Sequence, residues 1–198
     1  MRITPVGIVS DIAHPERFIH AVVQSCQVTH NTRLGIASAA AVAAVVSSGI
    51  NGKKLEHALN AGTEMAYIAE HHGHWVAGAR IGPRLRWARD ASAHCNNDNV
   101  GDLLYDVIGT SVASQESVVA AFALAQRVAS GQMNSVDAVC TAASIGGDTD
   151  TIAAVLGAML GACEGLDAWP TALIEQVRDV NHLQLEPLVE ALLALRNA

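Results

Sequence analysis

Asp148 and Asp150 stand two residues apart in the run Gly146-Gly147-Asp148-Thr149-Asp150-Thr151, the strongest chemical signal in the chain. Two carboxylates and a hydroxyl are hard oxygen donors, suited to Mg²⁺, Ca²⁺ or Mn²⁺ rather than to a soft metal. Residues at i and i+2 of an extended turn point to one side, so both carboxylates can share an ion. Thr151, at the start of the following helix, can add its hydroxyl. The two glycines let the backbone turn tightly and let another group approach closely. The competing reading is capping, because Asp and Thr are common N-caps and acids favour the positive end of a helix. Capping needs one oxygen, whereas this segment offers two Asp and two Thr. The spacing alone names no reaction.

Other residues invite chemistry less strongly. His71-His72-Gly73-His74 places histidines at i and i+3, but without a Cys or acidic partner at finger-like spacing, and a solvated helix end accounts for them. Arg80, Arg84, Arg86 and Arg89 cluster around Trp87 and can meet a phosphate, although a solvated face with snorkelling side chains is the simpler expectation. The polar loop His94–Asn99 can border a pocket, and Tyr105 can stack on a base. There is no Gly-x-Ser-x-Gly elbow and no Walker loop.

Helices must position these groups. The apolar period predicts helices over 15–27, 34–46, 53–71, 115–129, 135–143, 150–163, 170–180 and 185–196. Ser114 is expected to cap the fourth of these, and Ser135 or Asn134 the fifth. Between Trp75 and Asp102, Gly78, Gly82 and Pro83 predict short helices and a long loop. Gly157 and Gly161, four apart, predict close approach of a neighbour to the helix that follows the acidic run. No segment alternates like a strand of useful length, and no linker or repeat divides the chain. The expectation is one all-α domain over residues 1–198, compact and built of orthogonally packed helices.

Alanine-rich apolar content with few aromatics agrees with packed helices, since Ala has the best helix propensity. A formal charge of −7 gives no basic footprint for nucleic acid. Gly35 to Ile50 is the most membrane-like stretch, but it is short for a span and reads as a buried core helix. The start of the chain has no signal-peptide core. Four scattered cysteines without a Cys-x-x-Cys pair read as reduced, buried thiols of a cytoplasmic protein.

The run from Gly146 through Ile152-Ala153-Ala154-Val155-Leu156-Gly157-Ala158 resembles the signature of the ADP-ribosylglycohydrolases, a family with dinitrogenase-reductase-activating and J1-crystallin branches. Met1-Arg2-Ile3-Thr4-Pro5-Val6-Gly7 resembles the segment after that family's glycine-rich phosphate loop. Thr29-His30 resembles its Thr-His motif, and Gly109–Ala121 its helix before the last metal motif. The resemblance implies an all-α fold with two Mg²⁺ ions, Mn²⁺ being a possible substitute. It implies Asp148, Asp150 and Thr151 as metal ligands, and His30, Gly146, Gly147 and Tyr105 as substrate contacts. The implied reaction is hydrolysis of the glycosidic bond between ADP-ribose and a modified protein side chain or related acceptor. The implied partner is ADP-ribose or an ADP-ribosylated protein.

The chain contains no Thr-Asp-Asp motif, which supplies the family's other metal ligands, and no Gly-Asn-Gly loop. It corresponds to about the C-terminal two-thirds of a family member, so the family's N-terminal segment is expected to be missing. Two expectations follow. The chain alone carries half a metal site and can be inactive, the alternative being a non-catalytic ADP-ribose binder or a crystallin-like structural protein. Apolar faces left uncovered favour a homo-oligomer.

Overall fold

The structure, a computed structural model, describes residues 2–197. Its helices are α1 (Thr4–Val9), α2 (Pro15–Cys26), α3 (Arg33–Ile50), α4 (Leu55–Ala69), α5 (Ile81–His94), α6 (Val100–Asp102), α7 (Ser114–Ala129), α8 (Ser135–Ser144), α9 (Thr149–Glu164), α10 (Thr171–Asn181) and α11 (Glu186–Arg196). A π-helical turn, Leu103–Ile108, continues α6. Among the described residues there is no strand; a single parallel bridge joins Thr32 to His74. The fold is all-α.

Helix α3 is the hub. It packs most extensively against α4 and also against α9, α1, α2 and α7. Ala37, Ala40, Ala41, Ala43 and Ala44 are fully buried, and their short side chains let several helices close on one axis. By length and composition α3 could cross a membrane, but 78% of that window is buried inside the protein, as a core helix requires. Its N-terminus is held by Thr32, whose Oγ1 accepts from the Gly35 amide at 3.1 Å. Such a cap contributes about 1 kcal/mol. On the face of α4 turned toward α3, Gly62 meets Val45 and Phe122; a Cβ there would lie 2.7 Å from Val45 Cγ2.

Three expectations are corrected. Gly82 and Pro83 do not break the chain but sit in the first turn of α5, where the amides have no intrahelical partner and proline costs little. Ser114 is not a cap; Ala113 holds that position with no side-chain bond, and Ser114 is the first helical residue. For α8 the cap is Asn134, which accepts from the Asp137 amide at 2.8 Å. Gly157 and Gly161 also differ from expectation, since a Cβ at either would meet no described atom within 4 Å. The close approach is made instead by Gly49, whose Cβ would strike the Ala162 carbonyl of α9.

The cysteines are free thiols, but only Cys26 is buried; Cys140 is exposed. Burial pushes the Cys163 thiol up to about 12.

Candidate functional site

Asp148 occupies the N-cap of α9, yet its carboxylate makes no capping bond. Its amide donates to the Thr110 carbonyl at 2.7 Å. Gly146 and Gly147 before it have φ of +95° and +75°, a region that side chains enter only with strain. A Cβ on Gly147 would fall within 3.0 Å of Thr110, so the turn is pressed against the 109–113 loop. A Cβ on Gly146 would lie 3.1 Å from Tyr105 Cε2. Tyr105, 57% exposed, rests on the π-helical turn with its ring beside this glycine. Asp150 is exposed in the first turn of α9, and Thr151 is half-buried. Among the described residues, neither carboxylate has an ion-pair or hydrogen-bond partner, and capping does not account for them.

Thr151 opens onto a cleft of about 400 Å³, whose wall also includes His30 and neither carboxylate. The expected contacts therefore form two groups. Thr151 and His30 share the cleft, while Tyr105, Gly146, Gly147 and the carboxylates gather beside it on the same glycine turn. His30 Nδ1 lies 2.8 Å from Thr29 Oγ1, which also accepts from Arg2. Three helix N-termini meet at the cleft: Thr32, Leu34 and Gly35 of α3, Ala113 to Gln115 of α7, and Thr151 of α9. Each brings a partial positive charge. Among the lining residues Arg2 is charged and there is no Asp or Glu. In a chain of net charge −7, that local balance favours an anion or a polar ligand with acceptor oxygens. Ser38, buried in the wall, has an Oγ without a hydrogen-bond partner in the structure.

Sequence reasoning missed the groups that hold this loop system. Glu116 accepts from the Ser111 amide at 2.9 Å, and bonds from the Ser111 hydroxyl and amide hold its carboxyl below the usual glutamate range. Arg84 donates to the Gln115 carbonyl at 2.8 Å and to the Ile108 carbonyl at 2.9 Å. Gly109, at φ +90°, lies against Glu116 where any Cβ would clash. The legible signal was Gly109-Thr110-Ser111, a turn followed two residues later by a helix with Glu116 in its first turn.

The fold divides the arginine cluster: Arg84 and Arg89 are committed to internal hydrogen bonds, while Arg80 and Arg86 stay on the solvated surface. Arg80 pairs with Glu70, and Arg80 and Arg86 lie over the Tyr67 ring. Arg89, 8% exposed, bonds Gln126, Asn60, Thr63 and Glu56. Arg127 holds the 94–99 loop by donating to the Ser92 and Cys95 carbonyls and to Asn97. Those bonds fix the loop to α7. His71, His72 and His74 are exposed, and among the described residues no group of three or more His, Cys, Asp or Glu is placed to hold a metal.

A relative in Escherichia coli strain K12, described as the uncharacterized protein YegU, is 29% identical over 197 residues. The match covers 99% of this chain and 58% of that protein, so the chain spans less than two thirds of the relative's length. Residues 1–198 match the ADP-ribosylglycohydrolase family throughout, and the chain belongs to that family.

Proposed function

We propose that the chain hydrolyses the glycosidic bond joining ADP-ribose to a modified protein side chain or a related acceptor, with Mg²⁺ held at Asp148, Asp150 and Thr151. The observation that carries this reading is the pair of unpartnered carboxylates at the N-terminus of α9, next to a cleft that gathers three helix N-termini and no acid. The donor set fits a hard cation: two carboxylates and a hydroxyl, with no soft ligand. A divalent ion there would polarise ribose oxygens and lower the pKa of a bound water. The chain's own residues supply the rest. The amides at the N-termini of α3 and α7 would face a diphosphate, His30 contributes a ring nitrogen in the cleft, and Gly146 and Gly147 let the acidic turn pack closely on Tyr105 and Thr110. Cleavage at the ribose passes through an oxocarbenium-like transition state, as in other glycoside hydrolyses.

The test is release of ADP-ribose from a mono-ADP-ribosylated protein in Mg²⁺, followed by chelation, alongside calorimetric titration of Mg²⁺ and ADP-ribose. Asp148→Ala and Asp150→Ala should each lower turnover by roughly a hundredfold or more and weaken Mg²⁺ binding. Full turnover by the double variant would sink the proposal.

One observation favours a second reading, a non-catalytic ADP-ribose binder: among the described residues no group of three or more His, Cys, Asp or Glu is placed to hold a metal. ADP-ribose binding without turnover in any divalent metal supports that reading over the first.

A further inference from the structure

Helices α10 and α11 contain no buried residue. Between them runs an apolar groove of about 790 Å³, reaching back to Gly161 and Gly165 at the C-terminal end of α9. Leu173 and Val177 of α10, and Leu185 and Val189 beside them, repeat at i and i+4 and face it together with Trp169. Val177 is 46% exposed. Asp150 and Gly165 are separated by most of α9, about 22 Å of helix, so the groove is remote from the acidic turn.

Charge decides what fits there. The groove and the hollow adjoining it are edged by Asp167, Glu175, Asp179, Glu186 and Glu190. Against them stands Arg178, which is spent on Glu186. A second copy docking groove to groove would set these carboxylates against one another, at a cost from like-charge contact. The chain's exposed basic side chains, among them Arg17, Arg33, Lys53, Lys54 and Arg86, lie outside this groove, and Arg84, Arg89, Arg127 and Arg196 are committed to internal hydrogen bonds. An apolar floor with an acidic edge is the complement of a helix with one leucine-rich face flanked by Lys or Arg. We infer that this groove docks a basic amphipathic helix of another protein. The contact is separate from the hydrolytic site and can place a partner against this enzyme without blocking the cleft.

The experiment uses the full chain and two fluorescein-labelled synthetic peptides of about four helical turns, each with Leu at i, i+3, i+4 and i+7. One carries Lys at the flanking positions and the other Glu. Anisotropy should show binding of the Leu/Lys peptide alone. Leu173→Ser with Val177→Ser, at partly exposed positions, should loosen it at least about tenfold. Glu175→Gln with Glu190→Gln should loosen it about threefold or more, while Glu16→Gln with Glu64→Gln, away from the groove, should leave it unchanged. Absence of binding, equal binding of both peptides, or equal loosening by the distant pair would overturn the inference. So would a dimer in sedimentation velocity that Leu173→Ser with Val177→Ser abolishes, since a second copy would then be the occupant.

Discussion

Gly147 shows how little room the acidic turn has. Its φ of +75° and its contact with Thr110 leave no space for a methyl group. Gly147→Ala should destabilise the fold by about 2 kcal/mol, seen as a lower denaturation midpoint, and should misplace Asp148, whose amide is fixed on Thr110. An unchanged midpoint would show that the turn relaxes freely. Glu116 offers a second check. Its carboxyl is held below its ordinary value of 4.5 by Ser111, so the folded chain binds that proton less readily than the unfolded chain. The contribution is present above the ordinary value and disappears as pH falls through the lower folded one. Glu116→Gln should therefore lower the Tm near neutrality, and the gap from the parent should narrow as pH falls below the ordinary value of 4.5. A gap that stays constant with pH would rule out the carboxylate as its source. Asp148, Asp150 and Thr151 were legible as hard donors because they are contiguous. Thr110, Glu116 and Arg84 were not, because their roles depend on loops that meet only in space.

The helices were legible wherever an apolar period ran for three turns, as in α3, α7 and α9, and their ends fall within a few residues of expectation. The period failed at α1, whose six residues are too few to express it, and at α5, where Gly82 and Pro83 carry the vocabulary of a turn but occupy a first turn of helix. What holds α5 in place was also invisible. Arg127 of α7 is 1% exposed and donates to the Ser92 and Cys95 carbonyls at the end of α5, serving as a C-terminal cap from a neighbouring helix. In the sequence it is an ordinary late-helix arginine. Arg127→Met keeps much of the volume but strands those acceptors in the interior, and should cost about 3 kcal/mol in a denaturant melt. A loss within about 0.5 kcal/mol, the range of a surface change, would show that water replaces the guanidinium.

At the scale of the whole molecule, two kinds of attachment coexist. Residues from Ile3 to Leu160 form one apolar cluster in which α2 to α9 are mutually buried, whereas α10 and α11 stand outside it. The terminal helix is held by a polar clasp. Arg196 donates to the Ile8 carbonyl at 2.9 Å and the Ser10 carbonyl at 3.0 Å, at the end of α1. It also reaches Ser47 Oγ at 3.1 Å and Asn51 Oδ1 at 2.8 Å, at the end of α3. Asp11 lies 3.5 Å from the same guanidinium. Apolar burial protects amides through global unfolding, while a single clasp protects only what it holds. Hydrogen exchange should therefore be slowest in α3 and α7 and fastest in α10, with α11 between them. Arg196→Ala should speed exchange in α11 by about tenfold or more, equivalent to roughly 1.4 kcal/mol of local stability, while α7 changes little. Arg196→Lys should recover only part of the effect, because an ammonium lacks the planar fork that spans two helix ends. Unchanged α11 exchange in Arg196→Ala would mean that the hairpin is held by its apolar contacts after all, and the exposed groove would then contribute to the fold as well as offering a docking surface.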